Sequence, residues 1–348
     1  MTLSLTIDKK LWFKHLQQEI SDFSAHNISL VPVIKGNGYG IGRNRLAKVC
    51  EELKISTIAV GTVYEINEVI DANFKNILIM DPIDSQDIDS YKEYEKLDKN
   101  KITITVSSLK NINKFIDSAL VIEGLTSMNR FGLNKSDLNQ VKSHKIQGLS
   151  LHLPIDSTNK SKLSEVRSWL KAYQEHCTNG AKVVWLSHLS NKDLKGLALE
   201  FPAFEFNLRM GTKFWLGNQK AFKIESTVLE VHEPVSGTFG YRQRKIDDNH
   251  RLLVVSGGTA HGVGLQAPRS NTSLKQRVTA ALVGILEAFN LSLSPFVIKG
   301  KQRWFAEPPH MNVSMLKISK KISSSIVGER IVAQLRMTTT NFDSVNIN

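Results

Sequence analysis

The stretch VPVIKGNGYG, residues 31–40, decides the fold of this 348-residue chain. Four apolar residues run directly into Lys35, and a glycine-rich turn follows, which is typical of a buried strand that ends in a tight turn. An unpaired ammonium at the end of a buried strand is costly. Lys35 is therefore either condensed with an aldehyde, as Schiff-base lysines are, or extends past the strand end to reach water. The stretch alone leaves both interpretations open.

The sequence on both sides of Lys35 alternates between short apolar runs and polar segments with helical character. Strands are predicted at residues 31–34, 55–61, 76–80, 102–106, 120–122, 148–153, 182–187 and 204–208, and helices at 9–27, 43–53 and 63–72. Strands that alternate with helices form right-handed βαβ units and a parallel sheet. About eight such units predict an N-terminal TIM-type (β/α)8 barrel, which we place at residues 1–222.

The pattern changes after residue 222, where short apolar runs are separated by Gly, Pro and Asn. Strands are predicted at residues 226–233, 252–255, 296–299, 315–318 and 331–335, with one helix near 274–289. The expected fold class is therefore α/β, a barrel followed by a smaller, mostly-β C-terminal domain at residues 223–348. The tail after Thr338 is polar, and we expect it to be poorly ordered.

Composition is that of an ordinary soluble globular protein, with 41% hydrophobic and 22% charged residues. The chain has no apolar run long enough for a membrane and no signal-peptide pattern at its start, which predicts a cytoplasmic protein without a membrane partner. Cys50 and Cys177 match no metal-binding spacing, so no metal is expected. The net charge of +12 is scattered along the sequence, which favours a solvated basic surface over nucleic-acid binding.

Polar residues follow the predicted strands at the ends where a barrel carries its active site. They are Lys35, Glu123, Arg130, His152, His188, Asn191, Lys192, Arg209, Gly211 and Thr212. Each residue alone is a weak signal, because a lone histidine beside an apolar run is usually a core residue. Together they predict a site for an anionic ligand with an aromatic ring.

The order and spacing of these residues resemble those of the alanine racemase family over about residues 5–220. The resemblance implies pyridoxal 5'-phosphate as the cofactor, held as a Schiff base by Lys35, with Tyr39 reaching its phosphate. Arg130, in the run MNRFG, would donate to the phenolic oxygen of the cofactor and contact the substrate. Glu123 would orient Arg130, in place of the carbamylated lysine that the family usually has.

The same resemblance assigns further residues to the ring and the phosphate. His152 would lie near the ring face, and His188 and Asn191 match the family's H-x-x-N. Lys192 stands where the family has a phosphate-binding serine, and a lysine suits a phosphate as a point charge.

Arg209 is the most informative residue in the resemblance, because the family's arginine faces the pyridine nitrogen. A guanidinium has no acceptor and keeps its proton, so it donates a bond and leaves the ring nitrogen unprotonated. The related barrel decarboxylases usually have a glutamate there, so Arg209 favours racemisation. A surface position for Arg209, a decarboxylase and a non-catalytic cofactor carrier remain the alternatives. The backbone of Gly211 and the hydroxyl of Thr212 would complete the phosphate site.

The resemblance is looser in the second domain. The family's G-Y-x-D-G turn matches SGGTAHG, with Thr259 where a partner-chain tyrosine would act as the second base. Threonine is a poor base near neutral pH, so His261 is the candidate replacement, or else only a turn residue. Tyr241 matches another tyrosine of the family. The segment EPPHMN resembles the family's substrate-contacting segment and places Met311 near the substrate.

The resemblance therefore implies an amino acid racemase that is a homodimer with shared active sites. Lys35 would be one catalytic base, and a residue of the partner chain, with His261 as the candidate, would be the other. Alanine is the family's usual substrate, and the altered turn leaves the substrate open.

Overall fold

The computed structural model describes residues 2–23, 27–115, 117–141, 146–233, 237–268, 273–322 and 326–348. Its helices are α1 (Lys9–Phe23), α2 (Arg43–Glu52), α3 (Ile88–Glu95), α4 (Leu109–Lys114), α5 (Asn159–His176), α6 (Asn191–Glu200), α7 (Thr212–Leu216) and α8 (Leu274–Ala288). Short 3-10 helices span Gly38–Gly40, Val63–Glu68, Lys99–Lys101, Lys135–Gln140, Gln219–Ala221, Thr259–His261 and Met337–Thr339.

The strands are β1 (Leu3–Ile7), β2 (Ile28–Ile34), β3 (Thr57–Val60), β4 (Asn76–Ile79), β5 (Ile102–Val106), β6 (Ala119–Glu123), β7 (Ile146–Leu151), β8 (Val183–Leu186), β9 (Glu205–Met210), β10 (Phe222–His232), β11 (Thr238–Phe239), β12 (Arg244–Lys245), β13 (His250–Ser256), β14 (Leu293–Ile298), β15 (Lys301–Phe305), β16 (Val313–Ser319), β17 (Arg330–Ala333) and β18 (Ser344–Ile347).

Strands β2 to β9 form a closed parallel barrel, which confirms the predicted TIM-type architecture. The ring closes where β9 pairs with β2, with Leu208 opposite Leu30. A cluster of buried side chains that includes Val31, Val33 and Trp185 packs together on these strands. Strands buried on both faces are continuously apolar, which is why the sequence pattern identified them.

Two predicted helices differ from the structure. The prediction at 63–72 is instead the 3-10 helix Val63–Glu68. Thr62 and Glu65 form a reciprocal capping box at its start, and helices of the 3-10 type are usually short. Helix α1 ends at Phe23, and the predicted continuation through residues 24–26 lies outside the described residues.

The second sheet has the strand order β13-β16-β15-β14-β17-β10-β1-β18, and these strands pair antiparallel except for β1 with β18. The mostly-β second domain is thus confirmed, but its extent differs from residues 223–348. One compact unit comprises Phe13–Asn218, and the other comprises Met1–Trp12 together with Gln219–Asn348. The reason is that β1 pairs with β10, with Leu3 opposite Ser226.

The segment after Thr338 contains strand β18, which pairs with β1, so the expectation of a poorly ordered tail is wrong. Strand β18 pairs with β1 in parallel, with Ser344 opposite Ser4. The backbone N–H of Leu3 donates to Asp343 Oδ2 at 2.7 Å. The free edge of β1 supplies the hydrogen bonds that a polar segment needs in order to form a strand.

Helix α8 confirms the helix predicted near residues 274–289, and none of its residues is buried. Among the described residues, no helix combines the length and the apolar character that crossing a membrane requires. The same residues contain no cluster of three or more His, Cys, Asp or Glu side chains that could hold a metal ion.

Candidate active site

Lys35 is the first residue after β2, and the turn that follows it is fixed by a carboxylate from the next βα unit. Gly36, at φ +60°, donates its N–H to Glu65 Oε1 at 2.7 Å. Gly61, at the end of β3, donates to Glu65 Oε2 at 2.7 Å. Arg43 donates to the carbonyl of Gly36. Glu65 therefore ties together the ends of two neighbouring strands and holds the backbone from which Lys35 projects.

A cavity of about 520 Å³ lies where the barrel strands end. Its lining includes eight of the residues predicted from the sequence, namely Lys35, Tyr39, Arg130, His152, His188, Arg209, Gly211 and Thr212. Residues that are up to 177 positions apart in the sequence are thus brought to one site, because the carboxyl ends of parallel strands meet at one end of a barrel.

The cavity is strongly cationic. Lys35, Arg130, Arg209 and Lys213 line it together with a single acidic residue among those described, Asp81. In the same described set, the amine of Lys35 has neither a hydrogen-bond acceptor nor an ion-pair partner. A cation-rich cavity of this kind suits an anionic ligand.

Arg209 is buried, with only 6% of its surface exposed. Its Nη2 donates to the carbonyl of Leu151 at 3.1 Å, but its Nε is buried without a partner among the described residues. A buried donor that lacks an acceptor costs about 1–3 kcal/mol. The guanidinium is therefore not a surface group, and it is available to donate to a ligand.

Glu123, the last residue of β6, is 4% exposed. Burial raises the pKa of Glu123, while the charges of Arg209 and Arg130 and a hydrogen bond from Ser150 oppose that rise. Within the described ranges it has no direct ion pair with either arginine. The Arg130 guanidinium lies instead 5.1 Å from the centre of the Phe131 ring. The expected orientation of Arg130 by Glu123 therefore does not take the form of a direct bond among the described residues.

His152 and His188 lie side by side, with ring centres 5.4 Å apart and ring planes at 86°. Burial and the positive charges of Arg209 and Arg130 lower the pKa of His152 to about 3. Burial and the Lys162 ammonium also lower the pKa of His188. Both imidazoles are therefore neutral near pH 7 and add no positive charge to the cavity.

Tyr39 and Gly211 shape one end of the cavity. A Cβ on Gly211 would lie 2.3 Å from the Tyr39 hydroxyl, so only glycine allows this approach. Burial, followed by the nearby Glu65, raises the pKa of Tyr39, which keeps the phenol protonated and able to donate. With Thr212 beside it, this end offers the donors that a phosphate requires. The amine, guanidinium and phenol donors of the cavity thus fit pyridoxal phosphate.

Asn191 and Lys192 do not line this cavity in the part of the chain that the structure describes. They open helix α6, whose first turn is capped when Ser190 accepts from the N–H of Asp193 at 3.1 Å. The Asn191 amide donates instead to the carbonyl of Asp22 at 3.2 Å, and Lys192 is exposed.

The cavity also has lining residues that the sequence interpretation missed, including Asp81, Ser187 and Lys213. The Ser187 hydroxyl lies 3.4 Å from His152 Nδ1. Ser187 is the last residue of a predicted strand, so its position could have identified it. No sequence signal distinguishes Lys213 from the many other lysines of this basic chain.

The C-terminal residues predicted for the site lie in the other unit, in three loops: after β13, between β15 and β16, and between β11 and β12. The N–H of Thr259 donates to the carbonyl of His310 at 2.8 Å. Met311 and Tyr241 are exposed, by 71% and 84%. His261 is largely buried, and both of its ring nitrogens are bonded within its own unit.

Comparison with known proteins agrees with this geometry. An alanine racemase of Aquifex pyrophilus is 26% identical over a match of 266 aligned positions, and the match covers 72% of each protein. The solved alanine racemase of Clostridium difficile 630 is 17% identical, with a TM-score of 0.68 over 96% of this chain and 87% of that one. The Bartonella henselae alanine racemase, solved with covalently bound pyridoxal phosphate, is 15% identical, with a TM-score of 0.68 over 100% of both chains.

Because the two solved structures have low sequence identity to this chain, they support its fold alone. Family membership rests on a different match, to the model of the alanine racemase N-terminal domain over residues 13–191. That match covers just over half of the chain and begins at Phe13, where the barrel unit begins. The chain therefore belongs to the alanine racemase family.

Proposed function

We propose that this protein is a pyridoxal 5'-phosphate-dependent amino acid racemase. The observation that carries the proposal is the position of Lys35, whose amine lines one cavity together with Arg130 and Arg209. A lysine at this position is suited to hold an aldehyde covalently and to move a proton. The names of the related proteins, all alanine racemases, agree with this reaction.

Pyridoxal phosphate, when bound, withdraws electrons from the substrate and so acidifies its α-proton. Lys35 would hold the cofactor and would take the α-proton from one face of the substrate. Arg209 would donate to the ring nitrogen and would keep it unprotonated, because a guanidinium does not release its proton. This arrangement would favour return of the proton over loss of carbon dioxide. Arg130 would donate to the phenolic oxygen and would contact the substrate.

Tyr39, Gly211 and Thr212 bind the phosphate in this proposal. The buried, protonated Tyr39 donates from one side, and the missing side chain of Gly211 leaves room beside it. His152 and His188 remain neutral and line the ring. Asn191 and Lys192, which open α6 outside the cavity lining, act on the phosphate only if that helix shifts on binding.

Racemisation also needs a group that returns a proton to the opposite face. We assign that group to the C-terminal unit of a second copy, so that the active protein is a homodimer with shared sites. His261 is the candidate from the sequence, and Met311 contacts the substrate. The substrate class is a free amino acid; the arrangement is compatible with alanine and does not require it.

The test combines cofactor binding with isotope exchange. Protein supplemented with the cofactor is expected to show an absorbance band near the visible edge that Lys35→Ala abolishes. In deuterium oxide, a panel of L- and D-amino acids is expected to exchange the α-hydrogen without release of carbon dioxide. Lys54→Ala, at an exposed turn of the same unit, serves as the matched lysine control. Carbon dioxide release would instead identify a decarboxylase, and binding without exchange would identify a cofactor carrier.

A further inference from the structure

A histidine–carboxylate pair lies in the loop between β15 and β16, and it does not line the barrel cavity. His310 Nε2 lies 2.6 Å from Oε1 of Glu307, whose side chain is 4% exposed. An ionised carboxylate can only accept, so the imidazole proton is on Nε2 and donates to Glu307. Nδ1 then carries the free lone pair of the ring.

The surrounding backbone is shaped around this carboxylate. Gly240 has φ +71°, and a Cβ there would lie 2.0 Å from Glu307 Oε2. The N–H of Tyr241 donates to the same oxygen at 3.2 Å. The Tyr241 ring packs against His310, with ring centres 4.6 Å apart. Glu307 is thus satisfied on both oxygens, which fixes the orientation of the His310 ring.

His261 differs from His310 in the atoms that it leaves available. Gly258 donates its N–H to His261 Nδ1 at 3.2 Å, so Nε2 carries the proton and donates to Asp343 at 3.1 Å. Both nitrogens are therefore engaged, and the side chain is 10% exposed. His310 is 25% exposed, and its Nδ1 has no partner within the residues that the structure covers. Of the two rings, His310 is the one able to exchange a proton with a ligand.

Among the described residues, charged and titratable groups near the pair come from the neighbouring hairpin and from helix α8. Arg244 donates to the carbonyl of Ala306 at 2.8 Å, and it lines a cavity with Glu287 and Glu307. The Tyr241 ring packs against the His310 ring.

We propose that His310 is the second acid–base group of the racemase, and that Glu307 is a positioning residue that holds its tautomer. This inference rests on the proposed function and replaces the assignment of His261. In one direction, an N–H bond forms at His310 Nδ1 as the substrate Cα–H bond breaks, and the electron pair stays with the substrate. In the other direction, the imidazolium returns a proton from Nδ1 and becomes neutral again. The Nε2–H remains bonded to Glu307 throughout.

The first test is isotope exchange in deuterium oxide with the L/D pair that the wild type exchanges fastest among a panel of amino acids. His310→Gln is expected to lower interconversion by about 10²–10⁴-fold, the usual contribution of a general acid or base. Exchange from the enantiomer whose proton faces Lys35 is expected to persist, and exchange from the other enantiomer is expected to be lost. Glu307→Gln is expected to lower kcat more than it changes KM.

The second test needs no turnover. Nitrogen-15 NMR of the full-length cofactor-loaded protein is expected to show His310 as the Nε2–H tautomer. Glu307→Gln is expected to lose that tautomer preference while the cofactor absorbance stays. The matched control is His250→Gln, because His250 pairs with Asp247 at the same 2.6 Å and the same spacing of three residues, but at the start of strand β13. This control is expected to leave exchange from both enantiomers intact.

The outcomes separate the two proposals. If the wild type exchanges neither enantiomer of any amino acid, the racemase proposal fails, and the assignment of His310 fails with it. If the wild type exchanges both enantiomers and His310→Gln does so too, the assignment of His310 fails alone. If His261→Gln, but not His310→Gln, loses exchange from the enantiomer whose proton faces away from Lys35, the role returns to His261. An Nδ1–H tautomer for His310 would overturn the positioning role of Glu307.

Discussion

The barrel cavity and the C-terminal loops differ in whether their polar side chains have hydrogen-bond partners. In the cavity, the Lys35 amine and the Arg209 Nε have no partners among the described residues. In the C-terminal unit, His261 pairs with Asp343, and His310 pairs with Glu307. Unpaired donors cost stability, so a site that keeps them is arranged for a ligand. Paired groups fix the loops that carry them. We therefore expect ligand affinity to depend on the residues of the barrel cavity. We expect the geometry of the C-terminal loops to depend on the histidine–carboxylate pairs.

Of the changes that test this comparison, Arg209→Gln is expected to have the largest effect, because it removes a cation from the barrel cavity. A hydrogen bond to a charged group contributes about 1.5–3 kcal/mol, which corresponds to a loss of about 10–100-fold in cofactor affinity. Titration of the protein with pyridoxal phosphate, followed by absorbance, measures it. Arg167→Gln is the control, since Arg167 pairs with Glu200 on the barrel surface. Equal affinity for both variants would remove Arg209 from the proposed cofactor site.

A smaller effect, on stability alone, is expected for Asp343→Asn in the C-terminal unit. Asp343 accepts from Leu3 N–H at 2.7 Å and from His261 at 3.1 Å, and an amide can accept at only one of these positions. The free energy of unfolding should fall by about 1–3 kcal/mol. Urea unfolding measures the loss, with the exposed Asp248→Asn as the control. A fall in cofactor affinity instead would break the distinction between the two units.

The smallest effect concerns the pH dependence of the cofactor-free barrel. The pKa of His152 is about 3 in the folded protein and about 6.5 when unfolded, so the unfolded state binds more protons between these values. Unfolding free energy should therefore fall as the pH is lowered through this window, by less than about 1.4 kcal/mol per pH unit because the ring is partly exposed. Urea unfolding at about pH 7 and about pH 5 should show a smaller fall in His152→Gln than in the wild type. An equal fall in both proteins would contradict the lowered pKa.

The sequence predicts best where structure is local. The strand Ile102–Val106 was located to the residue, because a buried parallel strand is an unbroken apolar run. Strand β1 was missed, because its partners in β10 and β18 lie on the far side of the barrel sequence. The same non-local pairing explains why the segment after Thr338 was misjudged.

For the site, positions at the ends of strands were predictable, as Lys35 directly after β2 and Arg209 near the end of β9 show. Because the carboxyl ends of the barrel strands lie together, residues at these positions predict which side chains meet in the cavity. The contacts that hold them were not predictable. Glu65 lies in a segment predicted to be a helix, and nothing in its spacing reveals that it bonds to Gly36 and Gly61. The tautomers of His261 and His310 likewise depend on partners that only the fold brings together.

The pairing of β1 with β10 and β18 bears on how this protein can be divided for experiments. A fragment cut after residue 222 would retain β1 but lose the partners on both of its sides, leaving an apolar ribbon prone to stick to other chains. A fragment spanning residues 13–218 keeps every strand of the barrel with its neighbours. During synthesis, the first strand must likewise wait until the whole barrel has been made before it can be paired.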